Sequence, residues 1–152
     1  MKILFVCLGN ICRSPSAEGV MRDLVAKEGL ADSIEIDSAG TGDWHVGKNA
    51  DPRAIEAASL RGIELTSRGR QVSTRDFEEF DLIVAMDRNN HADLLALNGG
   101  DGSRLRLLRE IGEGQPLDVP DPYYGGDDGF EEVLDLLELN CRALLAEVNS
   151  QS

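Results

Sequence analysis

Apolar residues are spaced along this chain in two rhythms. Near-continuous runs at Ile3-Leu4-Phe5-Val6 and Leu82-Ile83-Val84-Ala85-Met86 have the form of strands covered on both faces. Ile34-Glu35-Ile36-Asp37-Ser38 alternates, predicting a further strand that runs into a loop at Ala39-Gly40-Thr41-Gly42. Leu105, Leu107 and Leu108 suggest a fourth, shorter strand. Between these runs the spacing turns helical. Pro15 leads into Ala17, Val20, Met21, Leu24 and Val25. Asp51-Pro52 supplies an N-cap and a first-turn proline for a helix through Ala54, Ile55, Ala58 and Leu60 that stops near Gly62. Residues 89–97 read as helical. Phe130, Val133, Leu134, Leu137, Cys141, Leu144, Leu145 and Val148 mark a long amphipathic helix, with Cys141 on its core stripe. Residues 113–124 form a Gly- and Pro-rich loop without periodicity.

Strands alternating with helices predict an α/β fold: a four-stranded parallel sheet with helices on both faces and ligands at the carboxyl ends of its strands. At 152 residues, with no repeat or low-complexity stretch, residues 1–152 are expected to form one domain.

Composition narrows the function. Hydrophobic content of 41% and charged content of 28% are those of a soluble globular protein. The first apolar run is too short to span a membrane and lacks a signal peptide's basic start and cleavage site, so the cytoplasm is expected and no membrane partner. Three cysteines, an odd number, fit a reducing compartment better than a disulfide framework. A formal net charge of −13 argues against nucleic acid as a partner. The same charge repels an anionic substrate, so any attraction must come from local cations and dipoles, and a basic or neutral segment around the anion is weakly favoured.

The stretch with the most chemistry is Cys7-Leu8-Gly9-Asn10-Ile11-Cys12-Arg13-Ser14, set between a strand and a helix N-terminus. That setting binds phosphate, because loop N–H groups converge where the helix dipole is positive. Gly9 and Asn10 tolerate the left-handed backbone that curls such a loop. No Gly-x-x-x-x-Gly-Lys-Ser/Thr is present, which rules out a nucleotide loop. A thiol opens the loop instead and a guanidinium follows. A cradle that holds a dianion also stabilises a thiolate at its floor, Arg13 can grip two phosphoryl oxygens, and Ser14 can donate to the sulfur. Cys7 could simply be a buried cysteine ending a strand, but its setting favours a nucleophile. Cys12 is the rival, without a loop before it to cradle an anion.

Displacing an aryl oxide from phosphorus calls for a proton donor. Asp121, stiffened between Pro120 and Pro122, is the candidate, and Tyr123 and Tyr124 could wall an aromatic substrate. Alone, this segment reads as an acidic turn before a helix. Trp44, in a Gly-flanked loop, is expected at a pocket rim. His45 and His91 are isolated and Cys7-x4-Cys12 has no second ligand pair, so neither a metal nor another cofactor is expected.

Cys7-x5-Arg13-Ser14, Ser38-Ala-Gly-Thr-Gly-Asp-Trp-His-Val-Gly, Asp51-Pro-Arg, Arg70-Gln71, Ala85-Met-Asp-Arg-Asn-Asn90 and Asp121-Pro-Tyr-Tyr-Gly occur in one order along the chain. Together they resemble the low-molecular-weight protein tyrosine phosphatases over nearly its whole length. The resemblance implies metal-independent hydrolysis of phosphotyrosine and aryl phosphates through a cysteinyl-phosphate. Cys7 would be the nucleophile, Arg13 the transition-state clamp and Asp121 the acid and then the base. It also implies a loop held by Asn10, Ser14 and Ser38, a mouth formed by Leu8, Ile11, Trp44, Tyr123 and Tyr124, and a reversible Cys7–Cys12 disulfide. Tyrosine-phosphorylated proteins would be the partners; the sequence does not itself name the oligomeric state, and a monomer is expected. A histidine often stands in the family where this chain has Ser67, so the tuning of the nucleophile differs. Arginine phosphatases of this fold carry Thr at the position of Ile11, which favours phosphotyrosine here. The alternatives are a thiol-linked arsenate reductase, which needs further relay cysteines, and a phosphopeptide-binding module without turnover.

Overall fold

The computed structural model describes residues 1–123, 125 and 128–150; Tyr124, one of the expected mouth residues, lies outside them. Its elements run β1 (Lys2–Cys7), α1 (Arg13–Lys27), β2 (Glu35–Gly40), α2 (Pro52–Ser59), α3 (Asp76–Glu79), β3 (Leu82–Ala85), α4 (Arg88–Leu97), β4 (Leu105–Leu107), α5 (Leu108–Glu113) and α6 (Asp128–Ser150). The strands form one parallel sheet in the order β2-β1-β3-β4. This is the expected sheet, including its short fourth strand.

Central β1 is buried on both faces because its odd and even residues feed two cores. Ile3, Phe5 and Cys7 pack with Val20 and Met21 of α1 and Leu134, Leu137 and Leu144 of α6. Leu4 and Val6 pack with Phe77, Phe80 and Leu94 on the other side. Period-two alternation thus places Cys7, the last residue of β1, on the face that α1 covers. Cys141 is fully buried in that first core, as its stripe predicts.

Three local features differ from the sequence reading. Helix α1 begins at Arg13, two residues before Pro15, with Ser16 N–H donating to Cys12 O at 3.2 Å. Proline is tolerated at the third helical position because the first N–H groups of a helix have no partner inside it. Leu108 starts α5 rather than ending β4, and α3 was not anticipated. Helices of four and six residues are too short to show a period, and tertiary packing defines them. The Asp51 cap forms as expected, its carboxylate accepting from Arg53 N at 2.9 Å with Pro52 in the first turn.

Candidate active site

The segment between β1 and α1 folds into a closed cradle. Asn10 takes φ = 57°, the one non-glycine residue with positive φ among those described. This left-handed turn brings Asn10 N–H round to donate to Cys7 Sγ at 3.3 Å. Gly40, at the end of β2, leaves room for the loop: a Cβ there would stand 2.8 Å from Leu8 O and 3.2 Å from Asn10 N. Ser14 Oγ lies 2.9 Å from Cys7 Sγ.

Asn10 organises the back of the cradle. Its Oδ1 accepts from Arg70 N at 3.0 Å, while its Nδ2 donates to Ser14 Oγ at 2.8 Å and Ser38 Oγ at 3.0 Å. The three residues that the resemblance assigns to loop support therefore share one hydrogen-bonded chain. They stand behind the loop, not in the cavity it faces.

That cavity, of about 460 Å³, brings together residues from three distant parts of the sequence. Cys7, Leu8, Gly9, Ile11, Cys12 and Arg13 line it from the loop, Trp44 from the segment after β2, and Asp121 and Tyr123 from the segment before α6. His45, read as an isolated histidine, also lines it. Trp44 is 63% exposed, as a rim residue should be, and Tyr123 is 39% exposed. A larger depression of about 630 Å³ near Lys2, Arg22 and Glu79 contains no cysteine.

Arg13 is only 3% exposed and its charge is answered on several sides. Nη1 donates to Asp87 Oδ2 at 2.6 Å and to Val119 O at 3.0 Å, and Nη2 lies 3.7 Å from Asp121 Oδ2. Burial by itself would lower this guanidinium, but Cys7, Asp87 and Asp121 outweigh it and hold it above its ordinary value. Asp87 also caps α4, its Oδ1 accepting from Asn90 N at 2.7 Å. One carboxylate thus fixes both the start of a helix and the orientation of the buried cation.

Sequence reasoning gave Asp87 no role. The signal was its place just past the carboxyl end of β3, where ligands gather in parallel sheets.

Electrostatics separate the cysteines. Burial, followed by the charges of Asp51, Cys7 and Asp121, pushes the Cys12 thiol up to about 12. Burial alone pushes Cys141 up to about 12. Both remain protonated at neutral pH, while Cys7 faces Ser14, Asn10 N–H and the cavity. Cys141 is fully buried within α6, so a disulfide relay could run from Cys7 to Cys12 and on to an external thiol but not to Cys141.

The Asp121 segment is anchored by α2. Asp121 Oδ1 accepts from Tyr123 N at 3.0 Å, closing a side-chain turn that aims the second oxygen at Arg13. Arg53 bonds Asp51 and Tyr123 O, and its guanidinium lies over the rings of Tyr123 and Phe130 at 5.5 and 4.8 Å from their centroids. Among the described residues no group of three or more His, Cys, Asp and Glu side chains is arranged to hold a metal ion.

Comparison with known proteins places this geometry in context. Residues 2–152 match the family model described as low molecular weight phosphotyrosine protein phosphatase. A low molecular weight protein-tyrosine-phosphatase from Streptomyces coelicolor is 46% identical, over 99% of this chain and 94% of its own length. The crystal structure of YfkJ from Bacillus subtilis superposes with a TM-score of 0.94 at 44% identity, covering 100% of this chain and 96% of that one. The arginine phosphatase YwlE of Bacillus subtilis, in a cysteine-to-serine form with a phosphorylated active-site serine, is similar at a TM-score of 0.91 and 32% identity, covering 98% of this chain and 96% of that one.

Proposed function

Since this chain belongs to the low molecular weight phosphotyrosine protein phosphatase family, we propose that it works through a cysteinyl-phosphate on Cys7. It is a protein tyrosine phosphatase, acting on phosphorylated protein. The observation that carries the division of labour is the convergence of Cys7, Arg13 and Asp121 on one cavity from the two ends of the chain.

In the first step Cys7 sulfur attacks phosphorus in line with the ester oxygen. The S–P bond forms, the P–O bond breaks, and Asp121 gives its proton to the departing phenol oxygen. Arg13, held by Asp87, presents N–H groups to two equatorial phosphoryl oxygens, and the loop amides meet the rest of the developing charge. In the second step Asp121 takes a proton from water as that water attacks phosphorus. The P–S bond breaks and the electron pair returns to Cys7, where the Ser14 hydroxyl receives it. Each step closes on the chain's own groups.

Substrate preference follows from the walls. Ile11, Leu8, Trp44 and Tyr123 give an apolar, partly aromatic slot suited to a phenyl ring. Ile11 in particular favours an aryl ester over phosphoarginine. We read residues 1–152 as one such domain, cytoplasmic and monomeric, serving tyrosine-phosphorylated proteins. Cys12, on the same cavity wall as Cys7, is the partner for a protective disulfide after peroxide treatment. No helix among the described residues is long and apolar enough to cross a membrane.

The test is turnover of p-nitrophenyl phosphate in EDTA by the native chain, Cys7→Ser and Asp121→Ala. Activity in EDTA, abolished by the first substitution and strongly lowered by the second, is the expected result. Undiminished turnover by Cys7→Ser would overturn the assignment.

A further inference from the structure

Glu18 is a carboxylate with 2% exposure on the buried side of α1, and the mechanism above leaves it unused. Its Oε1 accepts from Ser38 Oγ at 2.6 Å. Ser38 is itself 1% exposed and lies 3.0 Å from Asn10 Nδ2. A continuous path therefore runs Glu18–Ser38–Asn10–Ser14–Cys7.

Donor and acceptor counts fix the direction of the bonds from Arg70 to the two serines and Glu18, and distance selects the last one, from Ser14 to Cys7. Arg70 N–H can only donate, so Asn10 Oδ1 must face it and both Nδ2 hydrogens face the two serines. Ser38 accepts from Asn10 and has one hydrogen left, which goes to Glu18, an acceptor when ionised. Ser14 likewise accepts from Asn10, and its remaining hydrogen has Cys7 Sγ at 2.9 Å against Ala39 O at a long 3.4 Å. Without the Glu18 acceptor, the Ser38 hydrogen is stranded in a buried site. The available relief is to rotate the Asn10 amide so that Oδ1 faces the serines. Ser14 would then donate to Asn10 and no longer to sulfur, and Arg70 N–H would lose its partner.

We propose that Glu18 is a positioning residue for the phosphatase reaction: as terminal acceptor it fixes the direction of this chain and so aims the Ser14 hydroxyl at Cys7. The inference rests on Cys7 as nucleophile. The groups facing Glu18 are Arg22 of its own helix, at 2.9 Å, Asp37 and Ser38 of β2, and Ser67. Arg22 offsets the carboxylate's charge, so the contribution to Cys7 comes through the bonds and not through space.

The two routes predict different outcomes, which makes the test sharp. Cys7 alkylation by iodoacetamide is followed against pH in the native chain, Glu18→Gln and Glu18→Met, together with kcat/KM for p-nitrophenyl phosphate. Glu18→Met removes the acceptor; a hydrogen bond to a charged group is worth roughly 1.5–3 kcal/mol, so half-alkylation moves up by about one pH unit or more. Activity at acid pH falls about tenfold in step with that shift. Glu18→Gln keeps an acceptor for Ser38 without the charge and restores both readouts to near the native values. A downward shift in both variants means that Glu18 acts only as a buried negative charge, and no shift in Glu18→Met means that it is only structural. Either overturns the proposal. If Glu18→Met does not fold, Glu18→Leu takes its place: it also removes the acceptor while Ser38 keeps its hydroxyl, with the same upward shift expected and its absence overturning the proposal. Cys7→Ser is the control for the underlying reading, since turnover by that variant would remove the nucleophile assignment whatever Glu18 does.

Discussion

Arg13 and Asp87 are joined by a 2.6 Å bond between Nη1 and Oδ2 in a part of the site that solvent barely reaches. The pair comes from residues 74 positions apart and links the start of α1 to the start of α4. Breaking a buried pair by removing one partner leaves an uncompensated charge, which costs about 3–5 kcal/mol. Asp87 therefore has two separable tasks. Asp87→Asn keeps an oxygen for the Asn90 N–H cap but loses the charge beside Arg13, so kcat should fall at least about tenfold with a drop in Tm of roughly ten degrees. Asp87→Ala loses both, adding about 1 kcal/mol for the cap. Steady-state kinetics and thermal melts on the two variants check the separation.

The three thiols should react unequally. With Cys12 and Cys141 pushed up to about 12, iodoacetamide at neutral pH should give a single adduct, on Cys7. Inorganic phosphate should slow its formation by occupying the cradle. Peptide mapping by mass spectrometry reads the outcome, and an adduct on Cys12 at comparable rate would contradict it.

Gly42 fixes Trp44. A Cβ at position 42 would run into the Trp44 ring at Cζ3 and Cε3, so Gly42→Ala must displace that ring from the cavity rim. Loss of an aromatic wall is worth about 0.5–1.5 kcal/mol, which predicts a KM for p-nitrophenyl phosphate raised roughly three- to tenfold. The kcat should change little, because Cys7, Arg13 and Asp121 are untouched. A fall in kcat alone would show that Trp44 does not hold the ring.

Acid titration should show two opposed contributions. Hydrogen bonds from Arg53 hold the Asp51 carboxyl below its ordinary value of 3.8, so its contribution is present above that pH and is lost as pH falls through the lower folded value. Burial raises the Glu18 carboxyl above 4.5, against the opposing hydrogen bond from Ser38 and the charge of Arg22. Its cost is absent in acid and sets in as pH rises from 4.5 through the higher folded value. Denaturant melts across the acid range should therefore show Asp51→Asn less stable than the native chain at neutral pH, with the gap closing in acid. Glu18→Gln should gain on the native chain as pH rises from acid to neutral.

Ile11 gives a test of substrate preference. Replacing this branched apolar wall by Thr puts a hydroxyl into the slot, and Ile11→Thr should lower kcat/KM for aryl phosphate relative to phosphoarginine. A hydrophobic contact of this size is worth about 1–3 kcal/mol of discrimination. An unchanged ratio would move the determinant elsewhere on the wall.

Much of this protein could be read without coordinates. The apolar runs of β1 and β3, the alternation leading into β2 and the stripe of α6 are local periodicities, and they specify a parallel sheet between helices because each pattern has one way to bury itself. The Cys7–Ser14 loop is also local, so its residue types, strand and helix are all visible in eight consecutive letters. What lay beyond the sequence was convergence. Asp87 reaching Arg13, Arg70 N–H fixing the Asn10 amide and Glu18 ending the path behind Cys7 are pairings between residues that share no pattern in the chain. Tertiary structure decided them, because a donor finds its acceptor by position and burial, and only the packed sheet brings these atoms within 3.0 Å.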